Sequence, residues 1–420
     1  MITTSNIHRG WKQRLIIIWG GQSASLLGSN LVQFALIWYL TKTTGSATIL
    51  VIASLMNLLP NLLLGMFAGA LVDRWSRRRV MVIADGLVAA FSVLLAFLFW
   101  IEKVQIWHIY LILALRSIGG AFQFPAMQAS ITMLVPEKHL TRVAGWNQTS
   151  NGLVNIAGPA LGAFLMSILP IYGVLAVDVI TAALAITPLL FIPIPHPPNQ
   201  VRTTFVPLKT ILKDISAGLS YALSWDGMIA LLGMAILVNF VVNPAYTLAP
   251  LLVTRIFDGS ASHLGVINAL WGIGAVTSGI ILGIWGGFKR RIYTALMGVT
   301  GLGIGIILIG AAPASMFYLC ALGMLITGLM NPLMIGSFFS ILQASVPPEM
   351  QGRIITLAVS ISSAATFLGM IICAPAADLV GIRLWYLAGG GLVLILGLVN
   401  FTNPKVREIE AHAPSIPARG

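Results

Sequence analysis

Gly69-Ala70-Leu71-Val72-Asp73-Arg74-Trp75-Ser76-Arg77-Arg78-Arg79 is the stretch on which the reading of this chain turns. Residues 51–72 before it carry no charge, and a largely apolar run resumes at Val80. A bilayer core about 30 Å thick takes about 20 apolar residues of helix. Two such runs around a short cationic segment read as one membrane helix, a tight turn and a second membrane helix.

The same alternation fills the chain. Of 420 residues, 58% are hydrophobic and 9% are charged, and the mean hydropathy is +0.93. No soluble domain could bury that much apolar surface, so lipid is the expected solvent. The net charge of +12 would suggest nucleic acid in a soluble protein. Here the cations sit in short clusters between apolar runs, which excludes that reading and points to membrane orientation. The two cysteines, Cys320 and Cys373, are too few for a disulfide framework or a thiolate metal site, and one bridge between them stays open. The N-terminus shows no cleavable signal peptide, so the first helix is expected to be its own targeting signal.

Membrane helices are expected at roughly 15–39, 47–71, 80–101, 106–130, 143–169, 172–193, 227–252, 262–286, 292–312, 316–344, 353–377 and 382–401. With the N-terminus inside, 19 of the 24 Lys and Arg residues fall on the cytoplasmic side. Lys42, Lys103, Arg255 and Arg383 fall outside, and Arg116 lies within a helix. This bias predicts cytoplasmic termini and an even helix count.

The longest connection begins Pro193-Ile194-Pro195-His196-Pro197-Pro198. Leu208, Ile211, Leu212, Ile215 and Leu219 within 207–224 repeat at helical spacing, which predicts an amphipathic helix on the inner membrane surface. The expected organisation is a six-helix bundle over 1–193, a cytoplasmic linker over 194–226, and a second bundle with a short tail over 227–420. The halves repeat weakly. Val135-Pro136 and Arg142 recur as Val346-Pro347 and Arg353, and Gly65 and Gly69 recur as Gly279 and Gly283 before a basic turn. Such repeats support two bundles related by an axis along the membrane normal.

No GxxxxGK[ST] and no HExxH is present, which excludes a phosphate-cradling loop and a zinc-hydrolase helix. An enzyme would need convergent His, Asp or Ser groups at one depth, and the pattern offers none. A lipid scramblase is the other rival outside the transporters, and it would work without a proton gradient. No cofactor is expected.

The Asp73 loop, with Gly69, Asp73, Arg74, Arg77 and Arg78, resembles the signature between helices 2 and 3 of the major facilitator superfamily, the twelve-helix secondary transporters. Ser76 stands where that signature usually has glycine. The resemblance implies that Asp73 caps the start of helix 11 near Arg353 and latches the two halves when the cytoplasmic side is closed. Asn155-Ile156-Ala157-Gly158-Pro159-Ala160-Leu161-Gly162 in helix 5 resembles the glycine–proline motif of drug:proton antiporters. Its glycines permit close packing and its proline permits a bend. An ordinary packing kink is the plainer alternative. Asn147, Asn151 and Asn155 lie four residues apart and form a polar stripe on that helix.

Arg116-Ser117-Ile118-Gly119 resembles a second motif of the superfamily. An arginine near mid-membrane needs a partner or water. It is read either as a coupling residue tuning a nearby acid or as a structural donor to backbone carbonyls. Membrane-embedded acids are few. Asp85 is expected to pair with the Arg77–Arg79 cluster and stands next after Asp178 as a candidate for proton coupling. Asp178, about two turns from the outer face, is the first candidate for proton binding, because burial favours the neutral form of a carboxylate. A helix-end hydrogen-bonding role is equally open for it. Helix 1 has no acid, only Gln22, Asn30 and Gln33.

Trp19-Gly20-Gly21-Gln22-Ser23-Ala24-Ser25, Trp38-Tyr39-Leu40-Thr41, and Val135-Pro136-Glu137 with Leu140-Thr141 resemble the macrolide-efflux branch, over essentially the whole chain. That resemblance implies export of small amphipathic, macrolide-like molecules by proton antiport with alternating access. The setting would be a bacterial cytoplasmic (inner) membrane and the protein a monomer. A siderophore or other metabolite exporter is the alternative within the fold. The cavity is expected between helices 1, 4, 7 and 10. Its candidate lining is Gln22, Gln33, Phe34, Asn57, Asn61, Gln123, Asn151, Asn239, Asn243, Tyr246 and Asn331, a mostly neutral set suited to amphipathic substrates.

Overall fold

The computed structural model describes residues 11–72, 75–136, 139–192, 194, 219–223 and 225–410. Among these, twelve helices are long and apolar enough to cross a membrane. They are α1 (Trp11–Thr44), α2 (Ala47–Val72), α3 (Arg77–Trp100), α4 (Ile106–Leu134), α5 (Leu140–Ile168), α6 (Ile171–Phe191), α7 (Asp226–Phe257), α8 (Ala261–Trp285), α9 (Arg291–Ala311), α10 (Phe317–Ser345), α11 (Pro348–Leu379) and α12 (Ile382–Thr402). A one-turn helix, α13, covers Pro404–Arg407. No strand occurs among the described residues. The chain is a multi-pass membrane protein.

Several helices run beyond the apolar runs that announced them. α1 starts at Trp11 rather than near 15 and ends at Thr44 rather than near 39. Hydropathy registers only the part of a helix within the hydrocarbon, while backbone hydrogen bonding continues past it. The expected amphipathic helix at 207–224 falls outside the described residues except for 219–223, which are helical.

Local chemistry explains the breaks. Ser76 is extended (φ −64°, ψ 107°) and its hydroxyl accepts from the Arg79 amide, so it serves as the N-cap of α3. Gly45 has φ +61° and makes the two-residue turn between α1 and α2. Prolines lie inside α2, α4, α5, α6, α7, α10 and α11. Membrane helices tolerate them because neighbouring groups re-satisfy the freed carbonyls.

The chain forms two compact units, residues 1–44 with 52–205, and residues 206–420 with 45–51. In the first, α1 packs on α5 and α6, and α3 packs on α4 and α6. In the second, α7 packs on α11 and α12, and α9 packs on α10 and α12. The pairing repeats with each helix moved on by six, so the weak sequence repeat has a structural counterpart. The second unit is drawn tight by glycines. A Cβ on Gly305 of α9 would lie 3.0 Å from the Gly323 carbonyl of α10, and one on Gly323 would lie 2.7 Å from the Gly305 carbonyl. Small residues at such crossings let helices gain van der Waals contact where lipid offers no hydrophobic drive between them. Large apolar side chains point outward, with Phe191 80% and Ile284 84% exposed. That pattern suits lipid and would be a liability in water.

Candidate functional site

Three helices of the first unit each present polar groups seven residues apart. These are Gln22 and Ser29 on α1, Asp85 and Ser92 on α3, and Arg116 and Gln123 on α4. Seven residues make almost two full turns and rise about 10.5 Å, so both groups of each pair share one face. The faces converge and build two tiers.

The lower tier centres on Asp85, 3% exposed. Its Oδ2 accepts from Gln22 Nε2 at 2.8 Å. Its Oδ1 accepts from Gln123 Nε2 at 2.6 Å and from Ser25 Oγ at 3.2 Å. Gln123 Nε2 also reaches Gln22 Oε1 at 2.8 Å, which closes the ring. Asp85 therefore does not pair with the Arg77–Arg79 cluster, as the sequence suggested. The seven-residue geometry aims it along the helix bundle toward α1 and α4. No cation pairs with it among the described residues.

Asp178 of α6, fully buried, is the centre of the upper tier. Its Oδ2 accepts from Arg116 Nη1 at 2.6 Å and from Ser92 Oγ at 2.6 Å. Its Oδ1 accepts from Ser29 Oγ at 3.3 Å. Arg116 Nη1 also donates to Ser92 Oγ. A guanidinium and a carboxylate buried at this depth compensate each other, since either alone would be costly in a membrane. Gly28 makes room for the meeting, because a Cβ there would lie 3.1 Å from Asp178 Oδ1 and would also collide with Thr181 Oγ1.

A cavity of about 330 Å³ opens on both tiers. Asp85, Arg116, Ser29, Gln33, Asn57, Asn61, Gln123 and Asn155 supply its polar wall, and Leu26, Leu58, Val88 and Leu113 part of its apolar wall. Gln22 reaches it only through Asp85 and Gln123. Phe34 is not on this wall. It is buried, and a Cβ on Gly162 would meet its ring at 2.9 Å. A Cβ on Gly158 would likewise lie 2.8 Å from Asn30 Cβ. The glycines around Pro159 thus let α5 lie against α1, and Asn155 from the same motif faces the cavity. Asn151 is partly buried on α5 and lines no described cavity. Asn147 accepts from Trp19 Nε1 at 3.3 Å and donates to Gln128 Oε1 at 3.3 Å.

A second cavity, about 320 Å³, lies within the second unit. Met234, Met334, Phe338 and Phe339 give it an apolar character, relieved by Asn239, Asn243, Ser362, Ser363 and Thr366. Asn243 Nδ2 donates to Asn239 Oδ1 at 3.0 Å and to Thr366 Oγ1 at 3.2 Å. Flexible thioethers and aromatic faces with neutral hydrogen-bonding groups accept amphipathic molecules of varied shape. Tyr246 accepts from Trp271 Nε1 at 2.9 Å, away from this cavity. Asn331 sits beside Pro332 in α10 and lines neither cavity.

Of the latch residues, Asp73 and Arg74 lie outside the described residues, and Gly69 belongs to the last turns of α2. Arg77 is buried and donates to the Ala129 carbonyl at 3.0 Å, and Arg78 donates to the Leu190 carbonyl. Arg353 Nη1 rests 3.8 Å from Met350 Sδ. Cys320 and Cys373 are free and buried. Ser25, Ser29 and Ser92 were not singled out in the sequence. For Ser29 and Ser92 the signal is the seven-residue spacing to Gln22 and Asp85, visible only once the helices are known to face each other, while Ser25 lies three residues after Gln22 on the same helix.

The family model described as Major Facilitator Superfamily matches residues 18–370. Macrolide efflux protein A of Streptococcus pyogenes is 32% identical over 96% of this chain and 98% of its own length. The multidrug efflux pump Tap of Mycolicibacterium fortuitum is 26% identical over 94% of this chain and 97% of its own. Among solved structures, a bacterial homologue of the iron transporter ferroportin in its inward-facing state superposes with a TM-score of 0.68 at 14% identity, over 94% of this chain and 99% of that one. The last likeness bears on fold alone.

Proposed function

Because the chain belongs to the major facilitator superfamily and is a transporter rather than an enzyme, we propose that it exports amphipathic, macrolide-like molecules across a bacterial cytoplasmic membrane by proton antiport. Alternating access would expose the cavities to each side in turn, with both termini in the cytoplasm and the protein working as a monomer. The relatives named as macrolide and multidrug efflux proteins support the substrate class. The two mostly neutral cavities support it independently.

The observation that carries the coupling is the contrast between the two tiers. Asp178 is compensated by Arg116, so a proton on Asp178 would strand a guanidinium in the membrane. Asp85 holds a charge that only amide and hydroxyl dipoles offset, and it borders the cavity. Protonating it removes an uncompensated charge. The order of the sequence candidates is thereby reversed. Asp85 is the proton acceptor in this reading, and the Asp178–Arg116 pair holds the neighbouring tier in place. Asp73 with Arg353 stays proposed as the cytoplasmic latch.

The deciding experiment is efflux from bacterial cells stripped of their own pumps, with a macrolide and a panel of other amphipathic drugs, with and without a proton gradient. Gradient-dependent macrolide export is the expected result. Export of siderophores alone would favour the metabolite reading, and lipid flipping without a gradient would favour a scramblase.

A further inference from the structure

The chain beyond α12 turns back under the second unit. Asn403 ends α12, and its Oδ1 accepts from the Lys405 amide at 3.1 Å, which with Pro404 at the first position starts α13. Val406 and Ile409, three residues apart, are fully buried, while Lys405, Arg407 and Glu408 are exposed. One face of segment 404–410 is therefore an apolar anchor. Gly227 in the first turn of α7 makes room for it. A Cβ there would lie 2.9 Å from the Lys405 carbonyl and 3.0 Å from Ile409 Cγ1.

The same segment reaches α9. Arg290 precedes that helix, and its side chain has no acceptor for the free amides of the first turn. Glu410 supplies one. Its Oε1 accepts from the Arg291 amide at 3.0 Å, which sets a carboxylate at the positive end of the helix. Arg407 Nε donates to the Tyr293 hydroxyl at 3.0 Å, and Tyr293 stacks on Phe401 of α12 with ring centroids 6.2 Å apart. α7 and α9 touch each other little directly, and α13 packs on both.

The layer over the segment is the floor of the second unit's cavity. Val406 and Ile409 belong to a buried cluster that also holds Leu231 and Met234 of α7, Ala295 of α9 and Ala358 of α11. Those four line the cavity as well. The segment thus closes, from the other side, the layer on which the cavity rests. Its hold is releasable. Two apolar side chains anchor it, and the bonds of Glu410 and Arg407 lie at the surface, where water can replace them.

We propose that residues 404–410 form a strap that holds α7 and α9 together beneath this cavity, and that its release loosens the cavity floor. At about 320 Å³ the cavity is near the lower limit of ligand sites, about 300–1,000 Å³, and a floor that yields enlarges it. The strap goes beyond the proposed function. It depends neither on the molecule transported nor on the coupling ion, so it stands or falls separately.

The test is amide hydrogen exchange on the full chain in lipid nanodiscs. It is read on peptides covering the strap at 404–410, the floor at 228–236 and 292–299, and the far end of α9 at 304–311. If the floor opens through release of the strap, strap and floor should speed up by the same factor in each variant, with 304–311 unchanged. Glu410→Gln should give about two- to fivefold, the scale of a helix-end charge at the surface. Ile409→Ala should give about thirtyfold or more, the scale of a truncated buried side chain. Ala295→Cys, added to either variant, should react faster with a maleimide than in the wild-type background, and the native cysteines are buried. Should Ile409→Ala not fold, Glu410→Gln still decides, because its side chain is only partly buried. Faster exchange confined to 404–410, an equal rise over 304–311, or no change in any peptide would overturn the proposal.

Discussion

Arg116 and Asp178 meet across the middle of the first unit with Nη1 2.6 Å from Oδ2, and both are buried. Breaking a buried pair from one side leaves a naked charge, whereas replacing both partners by apolar groups can be nearly neutral. Arg116→Ala should therefore destabilise the protein by about 3–5 kcal/mol. Arg116→Met combined with Asp178→Leu should come back close to wild type. Thermal unfolding in detergent, followed by tryptophan fluorescence, measures both. Equal losses in the single and the double variant would show that the pair does more than neutralise itself.

Asp85→Asn should end uphill, gradient-driven efflux while downhill exchange of substrate persists, because the cavity and the helices around it remain. The assay is transport in proteoliposomes with an imposed pH difference. If Asp178→Asn stays folded and loses coupling while Asp85→Asn keeps it, the proton belongs to Asp178.

Gly28→Ala should cost about 1–3 kcal/mol, the usual penalty of an overpacked contact. The added methyl collides with Thr181 and crowds Asp178. Thr181→Ala in the same chain should recover most of the loss, and a failure to recover would place the strain on the Asp178 side instead.

Asp73→Asn should shift the balance between cytoplasm-open and cytoplasm-closed forms by up to about thirtyfold, the equivalent of about 2 kcal/mol at a helix end. Transport should fall with protein level nearly unchanged. Normal export by this variant would remove the latch.

The basic-residue bias predicts Lys42 outside and Gln200 inside. A cysteine at Lys42 should react with an impermeant maleimide in intact cells, and one at Gln200 should react only after lysis. Labelling of the Gln200 position in intact cells would invert the orientation.

The helices and their number were legible because a membrane forces apolar runs of a fixed length, and the Gly69–Arg79 stretch marks its turn without ambiguity. The chemistry of the site was legible only as an inventory. Asp85, Asp178, Arg116, Gln22 and Gln123 stood out as polar groups in apolar helices, but the one partner named, for Asp85, was assigned by proximity along the chain. Asp85 lies six residues from Arg79, so the cluster seemed its natural partner. In a helix, six residues make about one and two-thirds turns, which aims the side chain about 120° away and carries it about 9 Å off. Its real partners come from α1 and α4. Asp378 shows the same limit from the other side. Its carboxylate accepts from the Ala47 and Thr48 amides, and nothing near it in the sequence announces either.

The seven-residue spacing on α1, α3 and α4 makes the buried negative charge portable. At the level of Asp85, Gln22 and Gln123 already touch the carboxylate and each other, so any of the three positions could host the acid while the other two supply amides. Gln22→Glu together with Asp85→Asn would move the charge to α1 and leave the ring of hydrogen bonds nearly intact. The ring of three hydrogen-bonded side chains, and not any single position in it, is then what holds the negative charge.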